Sequence, residues 1–87
     1  MALNFPNLSR SFDPEHQRVC FWAYDSAMEV SIFVKANALL RLNPDTGSDG
    51  SALLATFDDN RDRINAVAKK VHASDRQSFH ILEAGDF

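Results

Sequence analysis

Hydrophobic and polar positions change period several times along the chain, and each change marks an element. From Arg18 to Tyr24 the residues are mostly aromatic or β-branched, and from Met28 to Val34 apolar Met28, Val30, Ile32 and Val34 alternate with Glu29, Ser31 and Phe33. Alternation at every second residue is a strand pattern. Only Asp25-Ser26-Ala27 separates the two runs, so they form a tight antiparallel hairpin. With Ser26-Ala27 as a two-residue turn, Val19, Phe21 and Ala23 oppose Val34, Ile32 and Val30 on one apolar face. Cys20, Trp22 and Tyr24 then oppose Phe33, Ser31 and Glu29 on the other. A three-residue loop would slip the register by one and place Trp22 opposite Val30. The two-residue turn is preferred, although Ser-Ala lacks the glycine or asparagine that such turns favour.

Upstream, the turn signals Phe5-Pro6-Asn7 and Asp13-Pro14-Glu15-His16 flank Ser9-Arg10-Ser11-Phe12, a short edge strand. Downstream, Ala36, Ala38, Leu39, Leu40 and Leu42 make a helix of about two turns that Asn43-Pro44 stops. Residues 44–50 gather turn formers into an exposed loop. Ser48 or Asp49 then caps a long helix running to about Ala73, with Leu53, Phe57, Ile64, Val67, Ala68 and Val71 on one face. Ser74-Asp75-Arg76 breaks it, and Gln77 to Leu82 alternates again, with Phe79 and Ile81 on one side. The order β-β-β-α-α-β predicts an α+β fold: a small antiparallel sheet with one long amphipathic helix packed across one face.

Composition narrows the function classes. The 87 residues, with 45% hydrophobic and 24% charged, allow one domain spanning 1–87 and a single modest core. A net charge of −3 leaves no excess of cations for a phosphate backbone, so nucleic acid is an unlikely partner. Cys20 is the only cysteine, which rules out an internal disulfide and a thiolate metal cluster. The start lacks a basic leader pattern, and no apolar run approaches the roughly 20 residues a membrane span needs. The chain therefore reads as a cytoplasmic protein with no membrane association.

Phe5-Pro6 near the start, Ser11-Phe12-Asp13, the Val19-Cys20-Phe21-Trp22-Ala23 strand, the passage from Ile32 to Leu40, helical Phe57, Arg61, Ile64 and Ala68, and terminal Asp86-Phe87 occur in a familiar order. Together they resemble a family of short bacterial proteins catalogued as domain of unknown function 1488. The resemblance runs nearly end to end and rests on length and order. It implies a small bacterial α+β protein and supplies no catalytic residues or cofactor. Ala27 stands where a turn would more comfortably have glycine.

Chemistry-bearing patterns fail one by one. Asp45 to Gly50 mimics a calcium loop, yet Gly47 holds the third position and Thr56 the twelfth, where a bidentate glutamate is required. The acids from Asp58 to Asp62 read as a solvated helix face. His16, His72 and His80 fall in a turn, a helix end and a strand, too dispersed for a zinc site with Cys20. No metal or cofactor is expected. Cys20 reads as a packing residue, and Asp25 as a turn aspartate bonding its own backbone. Lys69, Lys70, His72 and Arg76 complement the helix dipole at its C-terminal end.

The face carrying Cys20, Trp22, Tyr24 and Phe33 is the one feature that suggests function. Uncovered aromatics on a sheet mark an interaction surface. The pattern thus points away from an enzyme and toward a protein-interaction module, docking a protein partner or self-associating as a homodimer. Two alternatives stand beside it: a small-ligand binder or minor enzyme with a pocket near Trp22, Tyr24 and His80, and a weak nucleic-acid-linked regulator using the Lys69 to Arg76 end.

Overall fold

A computed structural model describes residues 3–6, 9–47 and 49–87. Met1 and Ala2 of the leader reading, Asn7 of the first turn, Leu8, and Ser48, weighed above as a helix cap, lie outside the described residues. The chain folds as α+β in the order β1 (Arg10–Asp13), β2 (Arg18–Asp25), β3 (Met28–Lys35), α1 (Ala36–Leu42), α2 (Gly50–Asp59), α3 (Arg61–Ser74) and β4 (Phe79–Leu82), ending in a 3-10 turn at Ala84–Asp86. The strands form one sheet in sequence order.

The hairpin adopts the two-residue register: Val19, Phe21 and Ala23 pair with Val34, Ile32 and Val30, and Cys20, Trp22 and Tyr24 with Phe33, Ser31 and Glu29. All six residues of the first set are fully buried. The turn's left-handed residue is Ser26, at φ 57°, rather than Ala27. A serine there is strained, because its Cβ crowds the following carbonyl.

The sheet is antiparallel through β3 and departs from an all-antiparallel arrangement at its last strand. β4 runs parallel to β3, from Ser31↔Phe79 to Val34↔Leu82. Two strands can run parallel only when a long crossover returns the chain to the same end, and residues 36–78, with all three helices, provide it.

The expected long helix is two. Asn60 leaves helical geometry at φ −117° and ψ 19°. Its side-chain amide donates to the Thr56 carbonyl at 2.9 Å, a carbonyl a continuing helix would use for backbone alone. Asp58-Asp59-Asn60 is a run of weak helix formers that compete with the backbone in this way. The Ile64 N–H donates to the Asn60 carbonyl at 3.0 Å and starts α3 at once. Asp49 holds the N-cap position of α2 without a side-chain cap bond. Gly50 behind it is required by space, since a Cβ would lie 2.7 Å from the Phe12 ring.

The core lies between the inner sheet face and the helices. Leu53, Phe57, Ile64 and Ala68 pack with the hairpin's inner residues, and Val67 and Val71 border them. Phe57 meets Phe21 edge-on at 5.1 Å, and Phe5 stacks on the same ring at 6.1 Å. Leu3, Ala38 and Leu39 belong to this cluster too, so the N-terminal segment and α1 serve the inner side. The acidic run is not merely solvated: Arg10 on β1 grips Asp58 with two bonds of 2.9 and 2.7 Å, and the Arg61 guanidinium lies 5.0 Å from the centre of the Phe57 ring.

Replacing Ser26 by glycine removes the left-handed strain, partly offset by the greater freedom of unfolded glycine. Ser26→Gly is expected to raise stability by about 0.5–1 kcal/mol. A urea melt showing no gain would mean the turn is relaxed as it stands.

Candidate functional site

Outward-facing residues of the four strands form rows across the sheet. Pairing places Ser11, Cys20, Phe33 and Ile81 in one row, and Trp22, Ser31 and Phe79 in the next. Asp13, Arg18 and Lys35 lie across one end, and Tyr24 and Glu29 across the other. The two middle rows thus carry no charge. Among the described residues Phe79 is 49% exposed and Ile81 41% exposed, while Cys20, Trp22, Tyr24 and Phe33 are partly exposed. An antiparallel sheet with one face in water usually shows polar residues there. This one shows an apolar centre.

Polar groups on the same face are mutually bonded. Arg18 Nε donates to Asp13 at 3.3 Å and its guanidinium sits 4.0 Å from the centre of the Phe33 ring, a cation–π contact. Lys35 Nζ reaches Glu83 at 3.2 Å, and the Tyr24 hydroxyl donates to Glu29 Oε2 at 3.3 Å. Burial pushes the Cys20 thiol pKa up, which disfavours the reactive thiolate.

The inner face holds a second arrangement. Asp25 ends β2 in the inward alternation of Val19, Phe21 and Ala23, and its carboxylate is buried, not turned back on its own backbone. Asp25 Oδ2 lies 2.8 Å from His72 Nε2 and 2.9 Å from Arg76 Nη2. His72 Nδ1 lies 2.8 Å from His80 Nε2. The three elements β2, α3 and β4 are thereby joined through one chain of polar atoms. Asp25 Oδ1 is buried without a hydrogen-bond partner.

The direction of this chain follows from the carboxylate. The His72 hydrogen bond holds the Asp25 pKa below the usual range against the opposing effect of burial, and Arg76 adds to the lowering. Ionised Asp25 only accepts, so His72 Nε2 carries a proton. With both rings neutral, His72 Nδ1 accepts from His80 Nε2–H, and His80 Nδ1 is left as a bare acceptor. Burial, then the neighbouring His72, lowers the His80 pKa and favours that neutral form. His80 is 6% exposed. It borders a cleft of about 300 Å³ lined also by Val71, Asp75, Gln77, Phe79 and Ile81. The arrangement can accept a proton at His80 and share its charge with Asp25.

Trp22 and Tyr24 stand on the outer face and His80 on the inner, so a single pocket near all three does not form. Cys20, Trp22, Tyr24 and Phe33 do share one face. Grouping His72 with the cations Lys69, Lys70 and Arg76 at the helix end hides the polar chain in the sequence. The spacing of His72 from Ile64 and Ala68 places it on the buried stripe and could have exposed it. Among the described residues no group of three or more His, Cys, Asp or Glu side chains is arranged to hold a metal ion, and no helix is long and apolar enough to cross a membrane.

A family model described as a protein of unknown function, DUF1488, matches residues 3–82. No curated protein and no solved structure matches the chain.

In the unfolded chain His80 titrates near the ordinary 6.5, and in the fold below it. Between those values the unfolded state holds more protons, so this group's contribution is full above pH 6.5 and declines as the pH falls through the window. Urea melts between about pH 5 and pH 8 should show stability falling toward acid, with a smaller slope in His80→Gln. An unchanged slope would show that His80 does not titrate differently on folding. His72→Ala strips a buried carboxylate and a buried imidazole of their shared partner and should cost about 3–5 kcal/mol in the same melts at neutral pH.

Proposed function

The chain belongs to the DUF1488 family of proteins of unknown function, and on that footing we propose that it is a non-enzymatic docking module of the bacterial cytoplasm that binds protein through the outer face of its sheet. One observation carries the reading: Cys20, Trp22, Phe33, Phe79 and Ile81 form an apolar centre on the face opposite the helices. A desolvated apolar centre inside a polar rim is the anatomy of a protein interface, and tryptophan, tyrosine and arginine are its usual anchors. Here Trp22, Tyr24 and Arg18 occupy those places.

The experiment installs a photo-crosslinking side chain at Phe79 in the full chain within cells, with Lys70 on α3 as control. Protein adducts are expected from Phe79 and not from Lys70, and they should disappear on adding Ile81→Ser. Adducts at Phe79 no more frequent than at Lys70 would overturn the reading.

A second reading rests on His80. His80 Nδ1, the acceptor of the neutral pair, stands beside a cleft of mixed lining and suits a small hydrogen-bond donor such as an amine or alcohol. Titration with such compounds, followed by the ring resonances of His80, should shift them in a saturable way. Resonances that stay fixed up to millimolar compound would remove this reading.

A further inference from the structure

We propose that the occupant of the outer face is a second copy of this chain, packed sheet against sheet about a two-fold axis running across the strands, so that Glu29 of each copy meets Lys35 of the other. The inference rests on the docking reading above and narrows it to one partner.

Size is the first argument. Two strands of eight residues and two of four, about 4.8 Å apart with a rise of about 3.4 Å per residue, offer a face of roughly 400 Å² in projection. Two such faces remove roughly 800 Å², the size of a weak, concentration-dependent interface rather than a permanent one. The surface is large enough for one copy and leaves no area for a second partner on the same face.

Shape and charge select the arrangement. Face-to-face sheets keep their strands nearly aligned and about 10 Å apart, so a two-fold axis runs either along the strands or across them. With the axis across them, each strand covers its own copy in reverse and the middle rows exchange. Trp22 then stands over Cys20, Phe33 over Ser31, and Phe79 over Ile81, large against small at both central strands. An axis along the strands, between β2 and β3, also sets Trp22 on Ser31 and Phe33 on Cys20, so shape alone does not choose.

Charge does choose. The axis along the strands lays Lys35 on Arg18 and brings Asp13 toward Glu83, like upon like at short range. The axis across the strands exchanges the two ends. It sets Lys35 over Glu29, both on β3, and Arg18 over Tyr24, both on β2. Glu29 is exposed and only its Oε2 is engaged, by a 3.3 Å bond from Tyr24, so its other oxygen is available to the ammonium. Like charges facing each other in a closing interface suppress that arrangement.

Sedimentation equilibrium on the full chain, from micromolar to millimolar, tests both levels. The wild type should dimerise, and Glu29→Lys and Lys35→Glu should each weaken the dimer tenfold or more. The double exchange should recover most of the loss, which a generally damaged surface would not do. Phe79→Ser removes an exposed side chain without touching charge and should also dissociate the dimer while keeping the circular dichroism of the wild type. A wild type that stays monomeric at millimolar concentration overturns the inference, and adducts from Phe79 to another protein would show that the docking reading itself survives. A dimer indifferent to both charge reversals, or one the double exchange fails to recover, overturns the arrangement.

Discussion

Strand side chains alternate at every residue, so the length of one turn decides what the whole molecule encloses. Ser26 and Ala27 fix the pairing of β2 with β3, and that pairing sends Val19, Phe21, Ala23, Val30, Ile32 and Val34 inward. One extra residue in the turn would move Trp22 opposite Val30 and mix polar with apolar on both faces. Helices α2 and α3 bury their apolar stripes only against the uniform face. The helix layer, the core and the open face therefore follow from a turn held at a strained serine.

At the far end of this core the sequence places charge instead of hydrocarbon. Asp25 continues the inward series of β2 and would be costly to bury alone. Arg76 arrives from beyond α3, and His72 and His80 extend the bonding away from the carboxylate to the edge strand. A buried polar chain of this kind is directional where hydrocarbon is not. It fixes where β4 lies against α3, because a shifted strand would leave His80 Nε2 and His72 Nδ1 without partners.

Local pattern revealed much of the fold and less of the site. The hairpin, its register, both faces and the helix stripe at Leu53, Phe57, Ile64 and Ala68 were legible because each follows from a period within a short window. The break at Asn60 was weakly signalled by Asp58-Asp59-Asn60, a run the helical stripe on either side overrode. The parallel placement of β4 was not legible at all, since Phe79 to Leu82 carries no mark of its neighbour's direction. Its inward side chains, His80 and Leu82, were equally ambiguous beside outward Phe79 and Ile81. Cys20, Trp22, Tyr24 and Phe33 could be assembled from one register, whereas Asp25, His72 and His80 meet only through long-range contacts. Taken singly, an aspartate before a turn and a histidine near a helix end have ordinary local roles, and those roles concealed their tertiary ones.

The parallel strand carries a kinetic consequence. Pairing of Ser31 with Phe79 closes a loop that contains every helix, whereas the β2–β3 hairpin closes over two residues. Loop closure costs entropy before contacts return it, so the hairpin can form early and β4 joins a scaffold already built. Until it joins, the outer edge of β3 is an unpaired strand beside exposed apolar side chains, open to capture by a neighbouring chain. Refolding yield should thus be set less by the stability of the finished protein than by how quickly its last strand reaches that edge.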